Sequence, residues 1–454
     1  MGLWDMEEGP RIRRLAGWDE SPASDQLVLA RLHREPLAIL HIDVAPGEET
    51  DTQLIDAVWD QAHDALRAHV RAHGCLTLPT DPGALEASLT DPGALEAALT
   101  DPGALEAALT DPGVPSAALT GPGVGGHGCP GRLPPRPPGH AAVIVCTIGR
   151  GAELARCIGS LCAMTCEDFE IVVVDNRPSD PRIKSQIEDI ASNTTTPVRY
   201  VAESRVGSSA ARNSGVATVP DAAYVAFTDD DVEVDPEWLG WLLSPFTGQN
   251  VQAVTGLVLP LTLASAVQKR FERYAGFGKG VRREVYDMGE HRARDRFLFP
   301  YWGGMFGSGN SMAFRRDALL AVGGFDPALG PGTPTHGGED IAAFSDVVLG
   351  GGAIVYEPRS LCWHEHRGDE QALRDQVRNY GIGLTAVLWR YLCRDWRFTA
   401  SAVRSLPLVL RLARSRSADR QDDRLPADLA KLEARGRLRG PWRYIVSRRR
   451  ARRA

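Results

Sequence analysis

No two cysteines in this sequence have the CxxC spacing, and the eight present (75, 129, 146, 157, 162, 166, 362, 393) follow no regular framework. That excludes a disulfide-stapled secreted scaffold, and the thiols are expected to be reduced, as in a cytosolic protein. Uncharged apolar runs of 18 residues are also missing, so no transmembrane helix is expected. The start, Met-Gly-Leu-Trp-Asp-Met-Glu-Glu, lacks the basic segment and apolar core of a signal peptide. A cytoplasmic protein is therefore expected. What remains is an ordinary globular composition, 43% hydrophobic and 24% charged, over 454 residues, room for two or three domains.

Charge is unevenly placed. The net value is −7, yet from Arg390 onward 18 arginines and Lys431 face six acids, a local +13 that leaves about −20 for the rest. Residues 26–43 predict two short strands joined near Glu35-Pro36. Leu54, Ile55, Val58, Trp59, Ala62, Leu66 and Val70 then fall on one helix face, which makes a small ββα module over 1–75. The decamer TDPGALEAAL recurs in three close and two decayed copies over 80–123, where Pro-Gly returns too soon for stable helices. Residues 76–140 read as a repeat-containing, Pro/Gly-rich linker, or else a partner-binding repeat. From Ala141, apolar strands (141–146, 170–175, 198–201, 224–228) alternate with helices (154–164, from 209), the pattern of a parallel, doubly wound α/β sheet. Amphipathic helices over 367–413 and a basic tail over 414–454 complete the chain.

Chemistry concentrates where strands end. Asp229-Asp230-Asp231 follow the apolar run Ala223–Thr228, and ligands of open α/β sheets bind at the carboxyl ends of strands. Acids there suit a hard divalent cation, Mg²⁺ or Mn²⁺, held together with substrate phosphates. The same acids could instead form a solvated turn before a helix starting near Asp235-Pro236-Glu237.

Eight motifs in order bring the chain close to a known family: V-I-V-C-T-I-G-R, I-V-V-V-D-N, A-A-R-N-S-G, F-T-D-D-D, G-S-G-N-S-M-A-F-R-R, G-G-F-D, G-G-E-D and W-H-E-H. Residues 141–366 resemble the family 2 glycosyltransferases, inverting enzymes of GT-A fold that use a nucleotide-sugar donor. The resemblance implies a metal on Asp231, with Asp229 beside it and His364 completing the set, while Asp229 and Asp230 reach ribose or bound water. It implies that Thr147 and Asp175 meet the nucleotide base and that Gly309 and Asn310 line the donor sugar. Arg212 would pair with phosphate or hold Asp175 and its neighbours. Within Glu339-Asp340, Asp340 matches the general base, and His366 could support His364. Two departures matter. Ala342 and Asp346 stand where relatives often carry an acid and a basic residue, and the Q-x-x-R-W motif of processive synthases is missing, which favours single sugar additions. A sugar nucleotidyltransferase would show a G-x-G-T-R-type loop where Thr147-Ile-Gly-Arg-Gly151 stands; an inactive nucleotide-sugar-binding scaffold is the other alternative. The acceptor is unspecified: glycan, lipid-linked glycan, peptide or small molecule. Basic, apolar segments containing Val387, Leu388, Arg390, Tyr391, Leu392 and then Val403–Arg414, with the arginines from Arg443, predict reversible contact with an anionic membrane on its cytoplasmic face, or packing on the domain. Nucleic acid is not an expected partner.

Overall fold

The computed structural model describes residues 135–394 except 249, 294–298 and 302, residues 399 and 426–453, and short pieces before residue 66 (2–5, 13–14, 26–32, 35–42, 57, 60–62 and 65). The decamer repeats and residues 400–425 lie outside the described residues. The chain divides into two compact units, Met1–Leu133 and Pro134–Ala454.

In the first unit the two strands expected over 26–43 are β3 (Gln26–Leu32) and β4 (Glu35–Ile42), which pair antiparallel, with Glu35 and Pro36 inside β4. Two strands had no sequence signal: β1 (Gly2–Asp5), parallel to β3, and β2 (Arg13–Arg14), giving the order β2-β1-β3-β4. Ala57, Asp60–Ala62 and Ala65 are helical.

The second unit is built on a nine-stranded sheet. Its strands are β5 (Ala141–Thr147), β6 (Phe169–Asp175), β7 (Val198–Ala202), β8 (Tyr224–Asp229), β9 (Val232–Val234), β10 (Val251–Pro260), β11 (Glu284–Tyr286), β12 (Met312–Arg315) and β13 (Ala353–His364). Their order is β11-β13-β10-β12-β8-β5-β6-β7, with β9 also on β13. The segment β8-β5-β6-β7 is parallel, and its strands are unbroken runs such as Val143-Ile-Val145 and Ile171–Val174, wholly buried because helices cover both faces. The helices are α1 (Gly151–Cys162), α2 (Pro181–Ser192), α3 (Ser208–Ala217), α4 (Trp238–Leu243), α5 (Ala266–Ala275), α6 (Arg316–Ala321), α7 (Glu339–Leu349), α8 (Glu370–Arg394) and α9 (Ala427–Ala451).

The doubly wound α/β sheet expected from the sequence is present, but parallel pairing runs only through that segment and between β10 and β13. β12 enters antiparallel to both β8 and β10. Pro358 falls in a bulge. β13 continues through it, and its register on β10 jumps from Glu357 to Leu361 while Gly256 gives way to Leu257. Within the basic tail expected over 414–454, residues Ala427–Ala451 form a helix. α9 lies along α8 because Leu429 and Tyr444 are buried and Gly436 and Gly440 let the two backbones touch. Of the residues expected at a membrane surface, Val387 and Tyr391 sit in the core. Arg390 is buried between Asp326 (3.0 Å) and Asp346 (2.6 Å). Residues 403–412 lie outside the described residues. Asp346, the departure at the sixth position after Asp340, thus serves packing: it also accepts from Tyr391 Oη at 2.7 Å.

Candidate active site

β5 leads to β6 on one side and borders β8 on the other, so a crevice opens at their carboxyl ends. Register places Thr147 opposite Asp175 and Cys146 opposite Asp229. β9 then carries the chain from Asp231 onto the end of β13, pairing Val232 with His364. β12 runs back along β8, which delivers the preceding loop, Gly307–Asn310, to Asp229.

The three acids have different partners. Asp229, at the mouth of the crevice, accepts from Arg212 and from Asn310 Nδ2, both at 3.2 Å. Asp230 accepts from Thr147 Oγ1 at 2.7 Å and from Arg150 at 3.3 Å. Asp231 is paired with Arg150 and lies 3.5 Å from His364 Nε2. Burial pushes the Asp229 and Asp230 carboxyls up to about 6, against the pull of Arg212 and Arg150 respectively. Crowded, poorly solvated carboxylates of this kind favour a cation.

His364 is the acids' partner on β13. Burial lowers it to about 4 despite Asp231 nearby, so its imidazole is neutral, the form that ligates metal. Its Nδ1 lies 3.1 Å from His366 Nδ1, and His366 Nε2 lies 2.8 Å from Glu272 on α5. The pair packs against Phe271 and Phe277. His366 is where a supporting partner was expected; Glu272 carried no sequence signal. Among the described residues no three His, Cys, Asp or Glu side chains converge into a metal cage. Asp231 and His364 nevertheless fit a hard cation that completes its shell with phosphate and water.

Glu339 and Asp340 occupy the first turn of α7. Gly338, the cap, has φ of +95°, and a Cβ there would strike Val387 on α8. Glu339 is buried and accepts from Arg212 Nη1 at 2.7 Å and Ser208 Oγ at 3.1 Å. Burial raises its carboxyl to about 7, with Arg212 opposing. Asp340 accepts from the amides of Gly309 (3.0 Å) and Ile341 (2.8 Å). Arg212, 4% exposed, therefore ties Asp229 to Glu339 rather than to Asp175. Asn213 grips both backbone groups of Phe325, fixing the G-G-F-D turn.

Asp175 is fully buried and accepts from the Arg177 amide (2.9 Å) and Tyr200 Oη (3.1 Å), a bonded turn acid beside Thr147. Asn176 next to it holds the loop through Gly207. Arg150 closes the first motif, but nothing in that motif shows that it reaches acids 80 residues on. A surface groove of about 760 Å³ between α1 and α2, lined by Ala155, Gly159, Pro181, Gln186 and Ile190, holds none of these groups. Charge and hydrogen bonding mark the site.

Residues 142–323 match the sequence profile described as Glycosyl transferase family 2. The chain is 26% identical over 246 residues to the pre-mycofactocin glycosyltransferase of Mycobacterium tuberculosis, covering 54% of this chain and 46% of that protein. It is 27% identical over 194 residues to the glucosyl-dolichyl phosphate glucuronosyltransferase of Haloferax volcanii, covering 42% of this chain and 56% of that one. The chain thus spans about half the length of these curated relatives. Among solved structures, the mannosyltransferase PcManGT from Pyrobaculum calidifontis in complex with GDP-Man and Mn²⁺ aligns with a TM-score of 0.45 at 16% identity, over 67% of this chain and 87% of that one.

Proposed function

We propose that this chain, a member of glycosyltransferase family 2, moves one sugar at a time from a nucleotide-sugar donor to an acceptor hydroxyl, with inversion at the anomeric carbon. The observation that carries the reading is the meeting of Asp229–Asp231, His364, Gly309–Asn310 and Glu339-Asp340 at one end of the sheet.

Asp340 takes the acceptor proton as the hydroxyl oxygen bonds to the anomeric carbon and the bond to the diphosphate breaks. Two amides orient its carboxylate, and Glu339, locked on Arg212, fixes the helix start from which it projects. Asp231 and His364 would hold Mn²⁺ or Mg²⁺, which supplies Lewis-acid neutralisation of the leaving diphosphate. Arg150, released from the acids, is placed to meet the same phosphates. Thr147 keeps Asp230 in position.

The test is transfer and donor hydrolysis with UDP-, GDP- and dTDP-sugars, with and without Mn²⁺, after a thermal-shift panel to find the donor. EDTA should abolish turnover, and Asp231→Asn should lose at least about tenfold in metal-dependent rate. Full activity in EDTA refutes the metal role, and a product of retained configuration refutes direct displacement.

A further inference from the structure

The outward face of α9 takes no part in the site. Leu429, Gly436, Gly440, Tyr444 and Ser447 are its buried side. A Cβ on Gly436 or Gly440 would collide with the Arg378 carbonyl or with Thr385 of α8, and Tyr444 Oη donates to Asp326 at 3.0 Å. The helix is therefore held in one rotational setting. At about 100° per residue, Lys431, Arg435, Leu438, Trp442 and Arg449 come out on the opposite side. Leu438 is 84% exposed and Trp442 64%. From Ala434 on the charge is of one sign, since residues 434–453 contain nine arginines and no acid, while Asp428 and Glu433 lie in the first two turns of the helix.

We propose that this face of α9 docks on an anionic phospholipid bilayer, with Leu438 and Trp442 among the headgroups, Lys431, Arg435 and Arg449 on lipid phosphates, and Arg439 reaching them from the flank. Charge complementarity points to a polyanion, and the exposed leucine and tryptophan at the centre of the stripe select lipid among polyanions. A phosphate backbone needs only the arginines, whereas an interfacial helix uses an apolar centre with basic flanks. Tryptophan also favours the headgroup level.

Full-length protein is sedimented at low salt with vesicles of phosphatidylcholine plus phosphatidylglycerol, and with phosphatidylcholine alone. It should pellet with the former and stay in solution with the latter. Leu438→Ser/Trp442→Ser should lower the partition coefficient about tenfold. Neutralising Arg435, Arg439 and Arg449 to Gln should lower it by about fivefold per residue at most. All five side chains are exposed, so unfolding temperatures should stay unchanged. Brominated phosphatidylglycerol should quench tryptophan emission more in the wild type than in Trp442→Phe. Wild type left in the supernatant with anionic vesicles, a double variant that partitions like the wild type, or equal quenching overturns the proposal. So does tighter binding to single-stranded RNA than to the anionic vesicles at the same salt.

Discussion

Asp340 owes its orientation to two backbone amides, Gly309 across the site and Ile341 in its own helix turn. An amide side chain would fill the same place but could not accept a proton from a hydroxyl. Asp340→Asn is expected to lower transfer by roughly 10²–10⁴-fold. Nucleotide-sugar affinity should be nearly unchanged, as initial rates and calorimetry on the same preparation will show. Arg150 invites a different pair of measurements. Its guanidinium lies on Asp230 and Asp231, where a cation would be drawn, so Arg150→Gln removes a competitor and a phosphate partner together. Mn²⁺ titrated alone should bind the variant more tightly than the wild type. A nucleoside diphosphate added with Mn²⁺ should bind it about tenfold more weakly, the loss of one charge-assisted contact. Parallel changes in both affinities would contradict this division of roles.

At the scale of elements, glycine has opposite effects in two helices. Gly381, Gly436 and Gly440 lie where α8 and α9 touch backbone to backbone, and any Cβ there meets the other helix. Gly436→Val is expected to destabilise the domain by about 1–3 kcal/mol through overpacking. Gly159, inside α1, has nothing within 4 Å of a built Cβ. Gly159→Ala should therefore stabilise by about 0.4–1 kcal/mol, because alanine restricts the unfolded chain and suits a helix. Urea unfolding of both variants checks the two signs together, and a neutral Gly436→Val would mean that the helix pair separates easily.

For the molecule as a whole, folding gathers carboxyls from β8 and α7 at one end of the sheet. Glu339 shows the consequence most directly, since burial raises it from an ordinary 4.5 to about 7. A carboxyl with a folded value above its unfolded one binds protons more tightly in the folded state. Its stabilising contribution is complete below about 4.5 and is lost as pH rises through about 7. The unfolding temperature of ligand-free protein is thus expected to fall between those limits as pH rises. Glu339→Gln should flatten that slope even if its absolute stability is lower, because Arg212 loses a charged partner. An unchanged slope would assign the pH dependence to other groups.

The sequence by itself determined the parallel strands of the second unit and the order of the chemistry. The runs 141–146, 170–175 and 224–228 become the buried parallel strands Ala141–Thr147, Phe169–Asp175 and Tyr224–Asp229, and Thr147, Asp175 and Asp229–Asp231 lie at or just beyond their carboxyl ends. Such features are legible because apolar runs, breakers and caps act over a few residues. Tertiary structure alone decided which groups meet. Arg150 on Asp230 and Asp231, Arg212 between Asp229 and Glu339, and Glu272 behind His366 each join residues far apart in the chain. No local pattern encodes those pairs, since they depend on how crossovers and antiparallel returns lay the strand ends side by side. The same holds for α9. Its arginines are plain in the sequence, but which of its faces remains in water was settled by Gly436, Gly440 and Tyr444 packing on α8 and Asp326.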